Sequence, residues 1–122
     1  MLNPLPKHFV TERKLAQAAR IGTPLVALES AVITHGLPRP QNLDLARAME
    51  AAVRAEGAAP ATTALLDGQI HIGLSEAELE RLAHLDGTRK ISLRDFGIAM
   101  AGGLSGGTTV AATLFTAAQA GM

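Results

Sequence analysis

Several short stretches of the sequence carry residue types that could do chemistry. The first is Leu25 to Ile33, LVALESAVI, an apolar run with one carboxylate, Glu29, in its middle. The run reads as a single buried strand. On that reading Glu29 is desolvated, and burying even an uncharged polar group without a partner costs on the order of 2–7 kcal/mol. Two readings of Glu29 stand. Either the strand ends a residue or two sooner and Glu29 marks its wet end, or partial burial tunes the carboxyl for general acid/base work. A second candidate is Lys90, placed directly before a predicted helix start, where free N–H groups and the helix dipole attract anions. An ammonium there suits a phosphate; the alternative is a solvated lysine beside Arg89. The glycine cluster GGLSGGTT, Gly102 to Thr109, could turn consecutive N–H groups toward an anion or a sugar, or could serve close packing. It has neither the lysine and spacing of a P-loop nor a dinucleotide fingerprint. Of the histidines, only His35 falls near Glu29, where a structural hydrogen bond competes with a role in a site. His8, His71 and His84 show no metal-ligand spacing, and His71 alternates within a predicted strand as a surface residue. No Ser-His-Asp constellation emerges.

The elements that must position these residues follow from capping and turn signals. The first dozen residues, with Pro4 and Pro6, read as an extended arm. Thr11 to Gly22 predicts a short helix capped by Thr11 and stopped by Gly22. After the strand at Leu25, THGLPRPQN is a loop, since Gly36, Pro38 and Pro40 each interrupt regular structure. A helix follows from Gln41 or Asn42 to about Glu56, with Leu45, Met49, Ala52 and Val53 on its apolar side. Asp44, Arg47, Glu50 and Arg54 take its wet side. ATTALLDG and QIHIGL form a hairpin turning at Asp67-Gly68. Ser75 and Glu78 make a capping box flanked by the staple Leu74–Leu79. The same grammar recurs at KISLRDF, where Ser92 caps, Asp95 stands three on, and Ile91 packs against Phe96. Strands alternating with helices predict a layered α/β/α fold, with helices on a central sheet. The closing run, AATLFTAAQAGM, is apolar and helix-like and would cover a sheet that continues. The chain is therefore expected to be the front part of a larger protein, one portion with residues 1–23 as arm and first helix and 24–122 as core.

Composition narrows the function classes. Hydrophobic residues make up 48% of the 122, enough for a core, while aromatics are 2%. Lys+Arg 11 against Asp+Glu 11 leaves no net charge, so the basic footprint and stacking platforms of a nucleic-acid binder are missing. There is no cysteine, which excludes disulfides and thiolate metal sites. No apolar run reaches the roughly eighteen residues of a membrane span, and the start MLNPLPKHFVTERK lacks the pattern of a signal peptide. A soluble intracellular protein is expected.

The blocks VALESAVITHGLPRPQN, GAAPATTALLDGQIHIGLSEAELERL, RKISLRDF and GGTTVAAT resemble, in the same order, the pseudouridine-5′-phosphate glycosidases. The resemblance covers nearly everything from Pro24 to Met122. It implies an α/β/α enzyme, cytoplasmic and trimeric, using a divalent metal, typically manganese. The reaction it implies is reversible cleavage of the C–C bond joining uracil to ribose 5-phosphate. Ordinary glycosidase chemistry needs an oxygen leaving group; this family instead opens the ribose ring and forms a lysine Schiff base at C1′, an electron sink for C–C cleavage. Matched by motif, Glu29 of ALES is the acid/base. Lys90 of KISLRD binds substrate, and Val110 of TTVA contacts substrate through its backbone. Thr108 and Thr109 beside it could add hydroxyl donors.

Two departures from the pattern matter. Ala31 stands where the family has threonine. The family's nucleophilic lysine and metal-binding aspartate lie in a segment after GGTTVAAT, beyond Met122, and Lys7, Lys14 and Lys90 are the only lysines here. The chain is thus expected to ligate no metal fully and to be inactive alone. An alternative is a non-catalytic sugar-phosphate-binding or assembly module, which would have no use for a buried Glu29. A third possibility is that Lys90 itself forms a Schiff base.

Overall fold

A computed structural model describes all of residues 1–122. The sheet is built around β3 (Ala59–Leu66), which is buried throughout from Ala61 to Leu66. It turns at Asp67-Gly68 into β4 (Gln69–Ile72), antiparallel to it. Asp67 and Gly68 both have positive φ, 51° and 77°, the two-residue hairpin geometry that Asp-Gly favours. Beyond β4, β1 (Phe9–Thr11) pairs in parallel, so the end of the expected arm is an edge strand. On the other side of β3 lie β6 (Gly106–Thr108), antiparallel to it, and then β5 (Arg89–Ile91), parallel to β6. The remaining strand, β2 (Leu25–Leu28), runs parallel to β3 over Ala59–Thr62.

Helices cover both faces, giving the α/β/α layering that the sequence predicts. On one face α2 (Ala31–His35), α3 (Gln41–Ala55) and α4 (Glu76–His84) bury Ile33, Leu43, Ala46, Leu79 and Leu82 against Ala64 and Leu66. On the other, α1 (Arg13–Arg20), α5 (Phe96–Ala101) and α6 (Val110–Ala120) enclose Leu65, Ile70 and Ile91, and Ala61 and Ile72. Alternate residues of β3 serve opposite layers, as strand geometry demands.

The capping signals at Ser75–Glu78 and Ser92–Asp95 hold. In α4 the Glu78 N–H donates to Ser75 Oγ (3.2 Å) and the Ser75 N–H to the Glu78 carboxylate (2.7 Å). Leu74 and Leu79 share one core cluster. The Ser92 N–H donates to Asp95 at 2.8 Å, holding that carboxyl below its ordinary range.

Several expectations are corrected. The strand read as Leu25–Ile33 ends at Leu28, and Ala31–His35 forms α2. Its apolar residues continue past Glu29 because Ala31 and Ile33 are buried by a helix, which a short apolar run cannot distinguish from a strand. Thr34 and His35 consequently belong to α2 and not to the loop. Thr11 lies in β1, and α1 is capped by Glu12, whose carboxylate accepts from the Leu15 N–H at 2.8 Å. In α3 the buried residues are Asn42, Leu43, Ala46 and Glu50. Glu50 is buried because Thr62 Oγ1 (2.7 Å) and the Arg54 guanidinium (2.8 Å) both donate to it. His71, expected at the surface, is buried beneath α4 with Nδ1 3.5 Å from Glu78.

Candidate active site at a strand junction

β2 and β6 lie end to end along one side of β3 and run toward each other. β2 ends at Leu28, opposite Thr62, and β6 pairs with β3 through Gly107, opposite Ala64. From this junction α2 passes onto one face of the sheet and α6 onto the other.

The junction has a local cost, which explains its residues. Thr63 sits where β2 has stopped and β6 has not begun its ladder, so its carbonyl lacks a strand N–H. Ser30 Oγ and Thr108 Oγ1 both donate to it, the latter at 2.9 Å. The Thr108 N–H donates to Ser30 Oγ (2.8 Å), and the Ser30 N–H to the Thr108 carbonyl (3.1 Å). Thr108 Oγ1 also lies 2.7 Å from the Thr63 hydroxyl and 3.0 Å from that of Thr113. Ser30, Thr63 and Thr108 are fully buried. Hydroxyls suit such a place because each both donates and accepts without carrying charge. Gly107 gives α2 its seat: a Cβ there would lie 2.5 Å from the Ser30 carbonyl oxygen and 2.5 Å from Thr34 Oγ1. A Cβ at Gly106 would meet the Arg89 carbonyl oxygen more closely still. The close-packing use of the glycine cluster therefore applies to both.

Glu29 stands between the end of β2 and Ser30, half-buried and outside every ion pair of the chain. Thr109 caps α6, its Oγ1 accepting from the Ala112 N–H at 3.3 Å, and its own N–H donates to the Ile91 carbonyl at 2.9 Å. The N–H groups of Val110 and Ala111 in the first turn have no acceptor in the chain, as is general at helix starts. Val110 projects its side chain into solvent. Lys90 is the middle residue of β5, in register with Gly107, and exposed. It does not directly precede a helix: Ile91 and Ser92 intervene before a single 3-10 turn at Leu93–Asp95. His35 ends α2 with Nδ1 2.7 Å from Thr34 Oγ1. The backbone bonds between Ser30 and Thr108 and between Thr109 and Ile91 thus link the segments bearing Glu29, Thr109–Val110 and Lys90 at the C-terminal ends of β2, β6 and β5.

The sequence reading offers Thr108 as a possible hydroxyl donor and does not single out Ser30 or Thr63; in the structure the Thr108 hydroxyl donates within the junction. The available signal was the set of Ser and Thr residues in otherwise apolar runs, at 30, 62–63 and 108–109. A cavity of about 520 Å³ lies on the opposite side of β3, lined by Glu12, Glu50, Arg54 and Ser75, away from these residues. No group of three or more His, Asp or Glu side chains could hold a metal ion. No helix is long and apolar enough to cross a membrane.

Fold and site together define a three-layer α/β domain with a half-buried carboxylate at a strand junction. A family model described as indigoidine synthase A like protein matches residues 14–122, and the chain belongs to that family. Among its relatives, a pseudouridine-5′-phosphate glycosidase of Jannaschia sp. is 57% identical over 118 residues, 97% of this chain and 38% of that protein. Pseudouridine-5′-phosphate glycosidase 1 of Rhizobium johnstonii is 50% identical over 110 residues, 90% of this chain and 35% of the relative. The prealnumycin C-glycosynthase AlnA, solved with ribulose 5-phosphate, superimposes with a TM-score of 0.82 at 39% identity, over 97% of this chain and 38% of AlnA. An indigoidine synthase A-like protein from Thermotoga maritima gives 0.77 at 31% identity, over 96% and 38%. The chain spans between about a third and two-fifths of the length of these relatives.

Proposed function

We propose that this chain is the acid/base-bearing segment of a pseudouridine-5′-phosphate glycosidase, a cytoplasmic enzyme that reversibly cleaves the C–C bond between uracil and ribose 5-phosphate. The observation that carries the reading is the position of Glu29, half-buried at the mouth of the junction and one residue from the contacts that bind β2 to β6. A carbon leaving group departs with its bonding pair and must gain a proton, and the reverse reaction must remove one. Glu29 is the residue for both transfers. Lys90 supplies a cation for the 5-phosphate, and the free N–H groups of Val110 and Ala111 supply donors at the start of α6. The ribulose 5-phosphate bound by AlnA supports a sugar phosphate as ligand.

The lysine that forms the Schiff base at C1′ belongs, in this proposal, to the part of the relatives that the chain does not span. A manganese ion and trimeric assembly are part of the same proposal. The residues present do not form a metal site, so no step is assigned to a metal here.

The test joins this chain to the remaining residues of the Jannaschia sp. glycosidase and measures uracil release from pseudouridine 5′-phosphate. In this completed enzyme Glu29→Gln should lower turnover by about 10²–10⁴-fold while leaving the affinity for ribose 5-phosphate unchanged. Undiminished turnover in Glu29→Gln would overturn the assignment. A completed protein that binds ribose 5-phosphate without any turnover would favour the non-catalytic module.

A further inference from the structure

We propose that Ser30 is a positioning residue for Glu29, acting with Thr108 as a hydroxyl clasp that sets the spacing between the two opposed strand ends. The inference rests on the acid/base role proposed for Glu29 and adds a determinant that does not itself touch substrate.

Three observations carry it. Ser30 is fully buried, so its hydroxyl is out of reach of a ligand, yet it adjoins Glu29 in the chain. That hydroxyl makes the contacts that bridge the gap in the sheet: it donates to the Thr63 carbonyl on β3 and accepts from the Thr108 N–H on β6. Thr108 answers by donating its own hydroxyl to the same carbonyl. The clasp therefore fixes two distances together, from β2 to β3 and from β2 to β6. Those distances set where the Glu29 carboxylate stands relative to the free N–H groups of α6, which begins two residues after Thr108. Thr63 keeps one donor if the Ser30 hydroxyl is removed. The Thr108 N–H, by contrast, loses its acceptor, so removing the Ser30 hydroxyl loosens the junction at the meeting of β2 and β6.

In the completed enzyme, Ser30→Ala should lower kcat by about tenfold or more, because misplacing a reacting group by about 1 Å costs on the order of 10²-fold. KM for pseudouridine 5′-phosphate should stay within about twofold, as Lys90 and the N–H groups at the start of α6 are retained. Thr108→Val, which keeps shape and loses the hydroxyl, should behave likewise, and Thr108→Ser should restore kcat. The decisive measurement is the double variant. If Ser30 acts through Glu29, Ser30→Ala adds less than about twofold in a Glu29→Gln background, whereas a merely structural loss would multiply. Undiminished kcat in Ser30→Ala, or a full additional loss in the double variant, overturns the clasp. If Ser30→Ala does not fold, the Thr108 pair decides, and equal kcat in Thr108→Val and Thr108→Ser overturns it. Undiminished turnover in Glu29→Gln overturns the acid/base role itself, and that result is read first.

Discussion

Replacing Gly107 with alanine tests the junction by a route that removes no hydrogen bond. An added Cβ would lie 2.5 Å from both the Ser30 carbonyl oxygen and Thr34 Oγ1, and 2.7 Å from the Ser30 carbonyl carbon. Two of these three atoms are backbone and cannot rotate away. Ordinary contact begins near 3.4 Å, so α2 and β6 must separate by about 0.9 Å. Overpacking of this kind costs typically about 1–3 kcal/mol. At roughly 4 °C per kcal/mol for a domain of this size, the melting temperature should fall by about 4–12 °C. Far-ultraviolet circular dichroism of the 122-residue chain measures it. Gly97→Ala is the matched control: nothing lies within 4 Å of a Cβ there, and glycine inside a helix costs about 0.5–1 kcal/mol relative to alanine. That variant should melt slightly higher. In the completed enzyme Gly107→Ala should also lower kcat by on the order of 10²-fold, since the displaced segment carries Glu29. A melting temperature for Gly107→Ala within about 2 °C of the parent would refute the tight seating of α2 on β6, and with it the mechanical part of the clasp.

Other outcomes follow from separate parts of the molecule. Burial lowers the pKa of His71 below its ordinary value of 6.5, against the opposing pull of Glu78 and Asp67 and with a smaller contribution from Arg81. The unfolded chain therefore binds the proton more readily, so this contribution to stability is full above about pH 6.5 and is lost as pH falls through that value toward the folded pKa. Urea midpoints of the parent should decline over that window, and His71→Gln should flatten the decline; an unchanged slope would refute the assignment. Asn42 is buried; its amide donates to the Ile33 (3.1 Å) and Ala83 (2.9 Å) carbonyls and its Oδ1 accepts from the Leu43 N–H (2.9 Å). Asn42→Ala should cost about 2–4 kcal/mol in urea unfolding, from three lost bonds at roughly 1 kcal/mol each. The isolated chain should release no uracil from pseudouridine 5′-phosphate, by chromatographic assay; measurable release would overturn the need for a lysine outside it. Borohydride treatment with ribose 5-phosphate should likewise leave Lys90 unmodified by mass mapping, and an adduct there would make Lys90 the nucleophile.

Where the sequence was readable, the signals were local. The Asp67-Gly68 turn, the Ser75–Glu78 box and the Ser92–Asp95 pair each involve residues within a few positions, and each formed. Readings failed where tertiary partners decide. Glu50 looks like a wet residue of α3 until Thr62, on another element, supplies its hydrogen bond. His71 looks exposed by alternation, because the alternate face of β4 was assumed wet while α4 covers it. LVALESAVI reads as one buried strand because its apolar residues continue through both halves, yet only Ala31 and Ile33 of them are buried. Its break at Glu29-Ser30 coincides with the contacts to β6. The carboxylate itself was visible as an oddity. Its setting was not, because the junction depends on two strands arriving from opposite directions, which no local pattern encodes.

That junction also bears on the order in which the molecule can assemble. Ser30 and Thr108 are separated by 78 positions, whereas the β3–β4 hairpin and the capped start of α4 draw on neighbours. Chain closure over such a span loses entropy before its contacts return any, although that cost grows only logarithmically with length. The hairpin and α4 can therefore form before the segment from Gly106 onward closes the junction. A chain emerging from the ribosome passes through most of its length with Glu29 beside an open edge of β3. Ser30, next to Glu29, gains its partner on β6 only when Thr108 arrives.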